Sequence, residues 1–166
     1  MTIRVVFLVA LTLAVQRVLG LAGLPRWSSQ ILLPVVWIVA MALRGKEHRW
    51  PYEALLLGLA WDLLFEPIVG PGGIAWSAAA LSLYGLASVV ADRSPKAWAA
   101  LGAVGAVVVT VVLRLAVLPL GMAFSVTTPQ LVWTALLTGL WCGLVGLVLA
   151  LDFSKHWHAY RVRKLR

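Results

Sequence analysis

The sequence predicts an all-α polytopic membrane protein in which six transmembrane helices form one bundle. Two observations carry this prediction. Hydrophobic residues make up 62% of the 166-residue chain and charged residues only 12%, which is more apolar surface than a water-soluble domain of this size can bury. The apolar residues also fall into six segments with short polar breaks between them. Because an unpaired backbone amide in lipid costs several kcal/mol, we expect each segment to be a helix.

The six segments have lengths close to the roughly 17 to 25 residues with which a helix crosses the hydrocarbon core of a bilayer. They cover about residues 3–21, 28–43, 50–65, 72–91, 97–120 and 131–151, and a basic tail of residues 152–166 follows them. We therefore expect one integral membrane domain and no separate extramembrane domain.

The third segment is the shortest. Its apolar run, residues 54–65, contains Asp62. Counted from Trp50 to Glu66 it has 17 residues, or about 25 Å of helix at 1.5 Å per residue. That length is just enough to cross if Trp50 lies at the interface, where amphipathic rings are favoured. A re-entrant hairpin through residues 53–90 is the alternative interpretation.

The positive charge falls mainly on alternate breaks. The second and fourth breaks hold Arg44, Lys46, Arg49, Arg93 and Lys96, whereas the first, third and fifth together hold only Arg26. Lys and Arg near a membrane are retained in the cytoplasm, so both termini are predicted to be cytoplasmic. The net charge of +8 is then mainly a signal of topology, and we expect no nucleic-acid partner because no soluble fold carries the charge.

Three ionisable residues lie inside segments: Arg17, Asp62 and Arg114. Each costs roughly 2.5 to 3.5 kcal/mol at a helix centre, so such residues usually face the bundle interior and pair. The first, third and fifth segments run in the same direction, which places all three residues roughly 6 to 9 Å below the outer surface. We predict an ion pair between Asp62 and Arg114, with Arg17 or Glu66 as a third member.

The alternative to this ion pair is that the two arginines reach the outer interface separately. A direct pair predicts that Asp62→Ala or Arg114→Ala lowers the level of the protein and that exchanging the two charges partly restores it. A proton pathway is the functional alternative for the same layer, but an arginine does not deprotonate under physiological conditions.

No common catalytic motif, nucleotide-binding loop or metal-ligand spacing occurs in the chain. We therefore expect no enzymatic activity, no cofactor and no metal. The tail of residues 152–166 alternates basic and aromatic residues. That pattern suits anionic lipid headgroups, at about 1 kcal/mol per basic residue, and an acidic cytoplasmic protein is the alternative partner.

Small residues mark where helices approach closely, because lipid supplies no hydrophobic drive between helices. The fourth and sixth segments are rich in them, and the positions of interest are Ala78, Ser82, Gly85, Gly139, Gly143 and Gly146. Gly139 and Gly143 form a GxxxG pair. Either these faces pack inside the bundle, or one of them docks another membrane protein.

The stretch of residues 53–90 combines a Gly and an Asp in a short apolar segment, a Pro/Gly turn, and a small-residue helix that contains a Tyr. The residues are Gly58, Asp62, Gly70, Pro71, Gly72 and Tyr84. This combination resembles the core of the rod shape-determining MreD family, and the six-helix organisation with cytoplasmic ends is similar as well. The turn is longer here than is usual in that family, with Phe65, Glu66 and Pro67 in place of small residues.

The resemblance implies a non-enzymatic scaffold or regulator in the bacterial cytoplasmic (inner) membrane. MreD proteins associate with MreC, and through it with MreB, RodA and a class B penicillin-binding protein, to direct lateral peptidoglycan synthesis and rod cell shape. The family fold is similar to the substrate-binding subunits of energy-coupling-factor transporters. The alternative function is therefore a small-molecule, vitamin-type binding subunit, which would need polar side chains that converge near the outer face.

Overall fold

A computed structural model describes the backbone of residues 3–21, 31–44, 50–65, 68–90, 94–121 and 127–164, and the side chains of most of them. Every element in these ranges is helical. They are α1 (Ile3–Leu21), α2 (Val35–Arg44), α3 (Trp50–Phe65), α4 (Pro71–Val89), α5 (Pro95–Val117), a 3-10 turn (Leu118–Leu120) that extends α5, and α6 (Thr128–Lys164). The all-α class predicted from the sequence is confirmed.

Three of these helices are long and apolar enough to cross a membrane: α4 with 19 residues, α5 with its 3-10 turn at 26, and the first 24 residues of α6. At 1.5 Å per residue they measure about 28 to 39 Å, which matches a hydrocarbon core of about 30 Å. The outward face of α6 is apolar as well. Its exposed side chains include Val132, Leu136, Leu140, Leu144 and Leu147. The chain is therefore a membrane protein.

The short helix α2 lies at the centre of the fold, against α4, α5 and α6. Ile38 is 1% exposed and Val39 is fully buried, and they pack in one core cluster with Trp76 and Leu83 of α4. Helices α3 and α4 form a hairpin, and α5 and α6 pack along each other. Within the described ranges, non-helical backbone meets the core at the start of α2 and at the α3–α4 junction.

Helices α5 and α6 approach closely through glycines. A Cβ atom added to Gly102 would lie 2.6 Å from Cβ of Cys142, and one added to Gly139 would lie 3.0 Å from the carbonyl oxygen of Ala99. Gly143 also faces Ala99, and Gly146 faces Trp98. The GxxxG pair and Gly146 therefore lie in the α5–α6 interface, where they serve packing inside the bundle.

The small residues of α4 differ from those of α6. Ser82 and Gly85 are exposed, and a Cβ atom added to Gly85 would meet nothing within 4 Å. Ala78 is half-buried. The Ser82 hydroxyl donates to the carbonyl oxygen of Ala78 at 2.9 Å, so the polar group of this exposed serine is satisfied within its own helix.

Helix α2 begins at Val35, seven residues later than the sequence predicts. Residues 31–34 are not helical. Pro34 explains the late start, because a proline disfavours helical geometry at the residue before it, here Leu33. Pro34 itself is fully buried, so the irregular backbone before α2 lies inside the protein, as it must at membrane depth.

Helix α6 continues without a break to Lys164. The sequence predicts that it ends near residue 151 and that a tail follows, so the predicted end is too early. Residues 147–164 contain neither Gly nor Pro, and those are the residues that most often end a helix. The basic tail is therefore helical through residue 164. Helices α1 and α3 have the bounds expected from the sequence.

Candidate functional site

The candidate site is the junction between α3 and α4, where Asp62 is fully buried near the end of α3. Taking a carboxylate out of water costs several kcal/mol unless hydrogen bonds replace the lost hydration. The surroundings of Asp62 supply those hydrogen bonds from backbone N–H groups of the following turn.

Both carboxylate oxygens of Asp62 accept from this turn. Oδ2 accepts from the N–H of Gly70 at 2.7 Å, and the N–H of Gly72 lies 2.9 Å from Oδ1 and 3.0 Å from Oδ2. The N–H of Gly73 lies 3.4 Å from Oδ2. We call this set of four residues, Asp62, Gly70, Gly72 and Gly73, the Asp62 cap.

The Asp62 cap accounts for the backbone donors at the start of α4. Gly70 is the N-cap residue and has no side chain of its own to bond them. Pro71 is the first helical residue and has no N–H to satisfy. Gly72 and Gly73 bond to Asp62, and the N–H of Ile74 already donates to the carbonyl oxygen of Gly70 at 3.2 Å. A negative side chain here also interacts favourably with the helix dipole.

Glycines make this close approach possible. Gly70 has a φ of 131°, a conformation that residues with a Cβ rarely adopt. A Cβ atom on Gly72 would overlap Oδ1 of Asp62, and one on Gly58 would lie 2.6 Å from the carbonyl oxygen of Gly72. Of the six residues on which the family resemblance rests, five therefore meet at this junction.

Arg17 lies at the same end of α3. Its guanidinium carbon is 5.6 Å from the centroid of the Phe65 ring, which is within the range of a cation–π interaction. The Phe65 ring stacks on Trp61 at 4.3 Å, and Trp61 contacts Trp76 at 5.4 Å between centroids. The side chain of Arg17 is exposed, so α1 contributes a cation over an aromatic stack beside the Asp62 cap.

The ion pair between Asp62 and Arg114 stays a prediction. The contacts that the structure gives to the Asp62 carboxylate come from Gly70, Gly72 and Gly73, which the sequence analysis did not foresee. Glu66, the proposed third member, lies outside the described residues. One signal could have pointed to the backbone partners: an Asp shortly before a Gly-Pro-Gly-Gly run that begins a helix.

A second polar cluster holds the irregular backbone before α2. The N–H of Leu33 donates to Oε1 of Gln16 at 3.0 Å, and the N–H of Leu32 donates to Oγ1 of Thr138 at 3.1 Å. The indole N–H of Trp141 reaches the carbonyl oxygen of Leu33 at 3.4 Å. Gln16 is 3% exposed and Thr138 is fully buried. The sequence pattern does not predict this cluster, although Pro34 marks the irregular backbone that needs it.

The two buried clusters follow one rule. Asp62, Gln16 and Thr138 are the buried polar side chains among the described residues, and each accepts from a backbone N–H beside the start of a helix. An unsatisfied N–H at such a position would cost several kcal/mol in lipid. Each of these three side chains therefore stabilises the start of a helix through a hydrogen bond from a backbone N–H group.

Tyr84, the sixth residue of the family-like motif, lies away from the junction. It lines a depression between α2 and α4, together with Ile38, Met41, Ala42 and Ala80. The other four lining side chains are apolar. The wall of the depression is therefore mostly apolar.

Comparison of the chain with protein-family models, curated proteins and solved structures finds no match.

Proposed function

We propose that this protein is a non-enzymatic membrane scaffold and regulator of the bacterial cell-elongation complex. In this role it binds an MreC-like membrane protein and, through it, MreB, RodA and a class B penicillin-binding protein, and it supports lateral peptidoglycan synthesis and rod cell shape. The proposed form is a six-helix bundle in the cytoplasmic membrane, similar to energy-coupling-factor subunits, with both termini in the cytoplasm.

The observation that carries this proposal is the convergence of the family-like motif. Gly58 and Asp62 of α3 meet the consecutive residues Gly70, Pro71 and Gly72 at one junction of the fold. Each has a physical task there, since the glycines allow the close approach and the carboxylate satisfies the backbone. The resemblance therefore rests on residues that act together, which supports it more than scattered identities would.

The Asp62 cap also fixes the direction in which α4 leaves α3, and so the orientation of the exposed face of α4. That face includes Ser82 and Gly85, which are small and exposed. Small residues permit close packing of a second transmembrane helix. In the proposed role this is the face that meets the partner, because the glycines of α6 are already used against α5.

The transporter alternative would need polar groups available to a ligand. Both oxygens of Asp62 are engaged by backbone N–H groups, and the depression beside Tyr84 is mostly apolar. A vitamin-type ligand requires several converging polar groups to fix its orientation. These observations favour the scaffold over the binding subunit.

The test is affinity purification of the tagged protein from native membranes in mild detergent, with mass spectrometry of the proteins that accompany it. We expect an MreC-like protein together with wall synthases. Recovery of ATPase subunits and a tightly held metabolite would contradict the scaffold and support the transporter alternative.

A matched pair of variants tests the proposed face. Ser82→Leu with Gly85→Leu places two large side chains on α4, and Ala100→Leu with Ala150→Leu places the same number at exposed positions of α5 and α6. We expect the first pair to lose the MreC-like partner and the second pair to keep it, with equal yield of folded protein. Equal recovery of the partner by both pairs would exclude this face.

A further inference from the structure

The long helix α6 extends well beyond the part that crosses the membrane. It has 37 residues, or about 55 Å at 1.5 Å per residue, and its apolar part, Thr128–Leu151, has 24. The apolar part measures about 36 Å, which already exceeds the hydrocarbon core of about 30 Å. Residues 152–164 therefore continue for about 20 Å more. We call them the α6 extension.

The charge of the α6 extension increases toward its end. Residues 152–164 include four basic residues and one acidic residue, so the net charge of the extension is 4 − 1 = +3. The basic residues are Lys155, Arg161, Arg163 and Lys164, and the acidic residue is Asp152. Three of the four basic residues thus lie at position 161 or later.

This geometry places the backbone of the distal basic residues beyond the headgroup layer. The backbone of residues 161–164 lies about 15 to 20 Å past Leu151 along the helix axis. The headgroup layer on each side of the core is only about 5 to 8 Å thick, and the Debye length in physiological salt is about 8 Å. A typical helix tilt of about 20° shortens these distances by only about 6%.

Lying flat on the membrane would require the helix to break. Residues 147–164 contain no Gly or Pro at which a sharp turn would form, and the helix is continuous across Leu151. Sharp kinks are almost always found at such residues or at local irregularities of the helix. Lipid binding, which the sequence alone favoured for this tail, therefore does not account for its distal charge.

We propose that the α6 extension is a docking helix for an acidic, helix-binding protein on the side of the membrane where α6 ends. The positions of Phe153, Trp157 and Tyr160 follow the i, i+4, i+7 spacing that places residues on one side of a helix. Helix-in-groove recognition uses anchors at this spacing, and complementary charge on the partner increases the rate and specificity of association. The inference does not depend on the proposed role in cell elongation.

The first test measures binding by the full-length protein in nanodiscs of zwitterionic phosphatidylcholine. The probe is a fluorescent synthetic helical peptide with glutamates along one face and leucines along the other. One variant combines Arg161→Glu, Arg163→Glu and Lys164→Glu. The control variant combines Arg44→Glu, Lys46→Glu and Arg49→Glu, which reverses the same number of charges in another polar break of the chain.

We expect the α6 variant to lose about tenfold or more in affinity for the peptide and the control to change by less than about twofold, where tenfold corresponds to about 1.4 kcal/mol. Equal losses in the two variants would show nonspecific attraction and would overturn the proposal. No measurable binding by the unmutated protein would overturn it as well.

The second test separates a protein partner from a lipid surface. Val162→Cys in the full-length protein is labelled with a nitroxide and placed in nanodiscs that contain anionic phosphatidylglycerol. The unmutated protein controls for labelling of Cys142, which is buried. We expect the label to be accessible to a water-soluble relaxation agent and remote from the bilayer. A label at headgroup depth or below would assign the α6 extension to lipid and contradict the proposal.

Discussion

The Oδ2 atom of Asp62 accepts a hydrogen bond of 2.7 Å from the backbone N–H of Gly70, eight residues later in the chain. This contact joins the end of α3 to the residue that caps α4. With the N–H groups of Gly72 and Gly73, it replaces the water that a helix start would otherwise bind. One buried carboxylate thereby joins the two helices of the α3–α4 hairpin.

Removal of the Asp62 carboxylate is expected to destabilise the protein strongly. Asp62→Ala leaves the N–H groups of Gly70, Gly72 and Gly73 without their acceptor, and an unsatisfied buried donor costs about 1 to 3 kcal/mol. Asp62→Asn keeps one acceptor oxygen but turns an amide donor toward backbone donors, so we expect it to be destabilised as well. Thermal unfolding of the purified protein in detergent measures both effects.

Glu53→Gln is the control for this measurement, because it removes a negative charge from the same helix at a half-buried position. We expect a change of less than about 1 kcal/mol for it, as for most substitutions outside a buried network. An Asp62→Ala protein as stable as the Glu53→Gln protein would show that the hydrogen bonds to Asp62 contribute little.

The Asp62 cap and the predicted ion pair between Asp62 and Arg114 give opposite expectations for exchange of the two charges, Asp62→Arg with Arg114→Asp. A direct ion pair predicts that the exchange partly restores the level of the protein, and the Asp62 cap predicts that it does not. An arginine has no acceptor atom, so it cannot satisfy the N–H groups of Gly70 and Gly72. Western blotting of membrane fractions compares the exchange with each single variant. Restoration by the exchange would indicate that a direct ion pair outweighs the Asp62 cap.

A methyl group at Gly58 is expected to separate α3 from α4. Its Cβ atom would lie 2.6 Å from the carbonyl oxygen of Gly72, which is backbone and cannot rotate away. Overpacking of this kind costs typically about 1 to 3 kcal/mol. Gly58→Ala should therefore lower the midpoint of thermal unfolding.

Gly85→Ala is the matched control, because a Cβ atom at Gly85 meets nothing within 4 Å. Alanine has a higher helix propensity than glycine by about 1 kcal/mol, so this variant should be unchanged or slightly more stable. If Gly58→Ala and Gly85→Ala had the same midpoint, the close approach of α3 and α4 would be contradicted.

Loss of the Thr138 hydroxyl is expected to weaken the start of α2. Thr138→Val keeps the shape of the side chain but removes the acceptor of the Leu32 N–H, which costs about 1 to 3 kcal/mol. Thr110→Val is the control, because the Thr110 hydroxyl donates to the carbonyl oxygen of Ala106 in its own helix. Thermal unfolding in the same detergent should distinguish the two, and equal midpoints would argue against a role for Thr138.

The contact between Gly102 and Cys142 predicts that a smaller residue at position 142 offsets the destabilisation caused by a larger residue at position 102. Gly102→Ala alone places a Cβ atom 2.6 Å from Cβ of Cys142 and should destabilise the α5–α6 pair. Adding Cys142→Gly moves the bulk from one helix to the other and should restore part of the loss, since neighbouring sites are not additive. A double variant whose loss equals the sum of the single losses would contradict direct contact.

The sequence predicts the regular helices of this fold well and the irregular backbone poorly. Ile3–Leu21 and Trp50–Phe65 have the expected bounds because the predominantly apolar segments between polar breaks determine them. The late start of α2 depends on Pro34 together with acceptors on Gln16 and Thr138, which are far away in sequence. No local pattern contains that information.

The candidate site, like the fold, is predicted only in part by the sequence. Asp62 stands out in the sequence because a charge inside an apolar segment is costly, and that cost predicts a charged partner, which stays a prediction. The structure shows that backbone N–H groups of Gly70 and Gly72 donate to Asp62. The apolar pattern around Asp62 does not predict these donors at the N-terminus of the next helix, although Gly and Pro residues there indicate them.

Hydrogen–deuterium exchange of the backbone N–H groups in residues 70–77 tests the Asp62 cap most directly. It is measured by mass spectrometry on the unmutated protein and on Asp62→Ala, with a peptide from α5 as the internal reference. We predict slow exchange in the unmutated protein and clearly faster exchange of this segment alone in the variant. Equal protection of residues 70–77 in the two proteins would contradict the claim that Asp62 holds the start of α4.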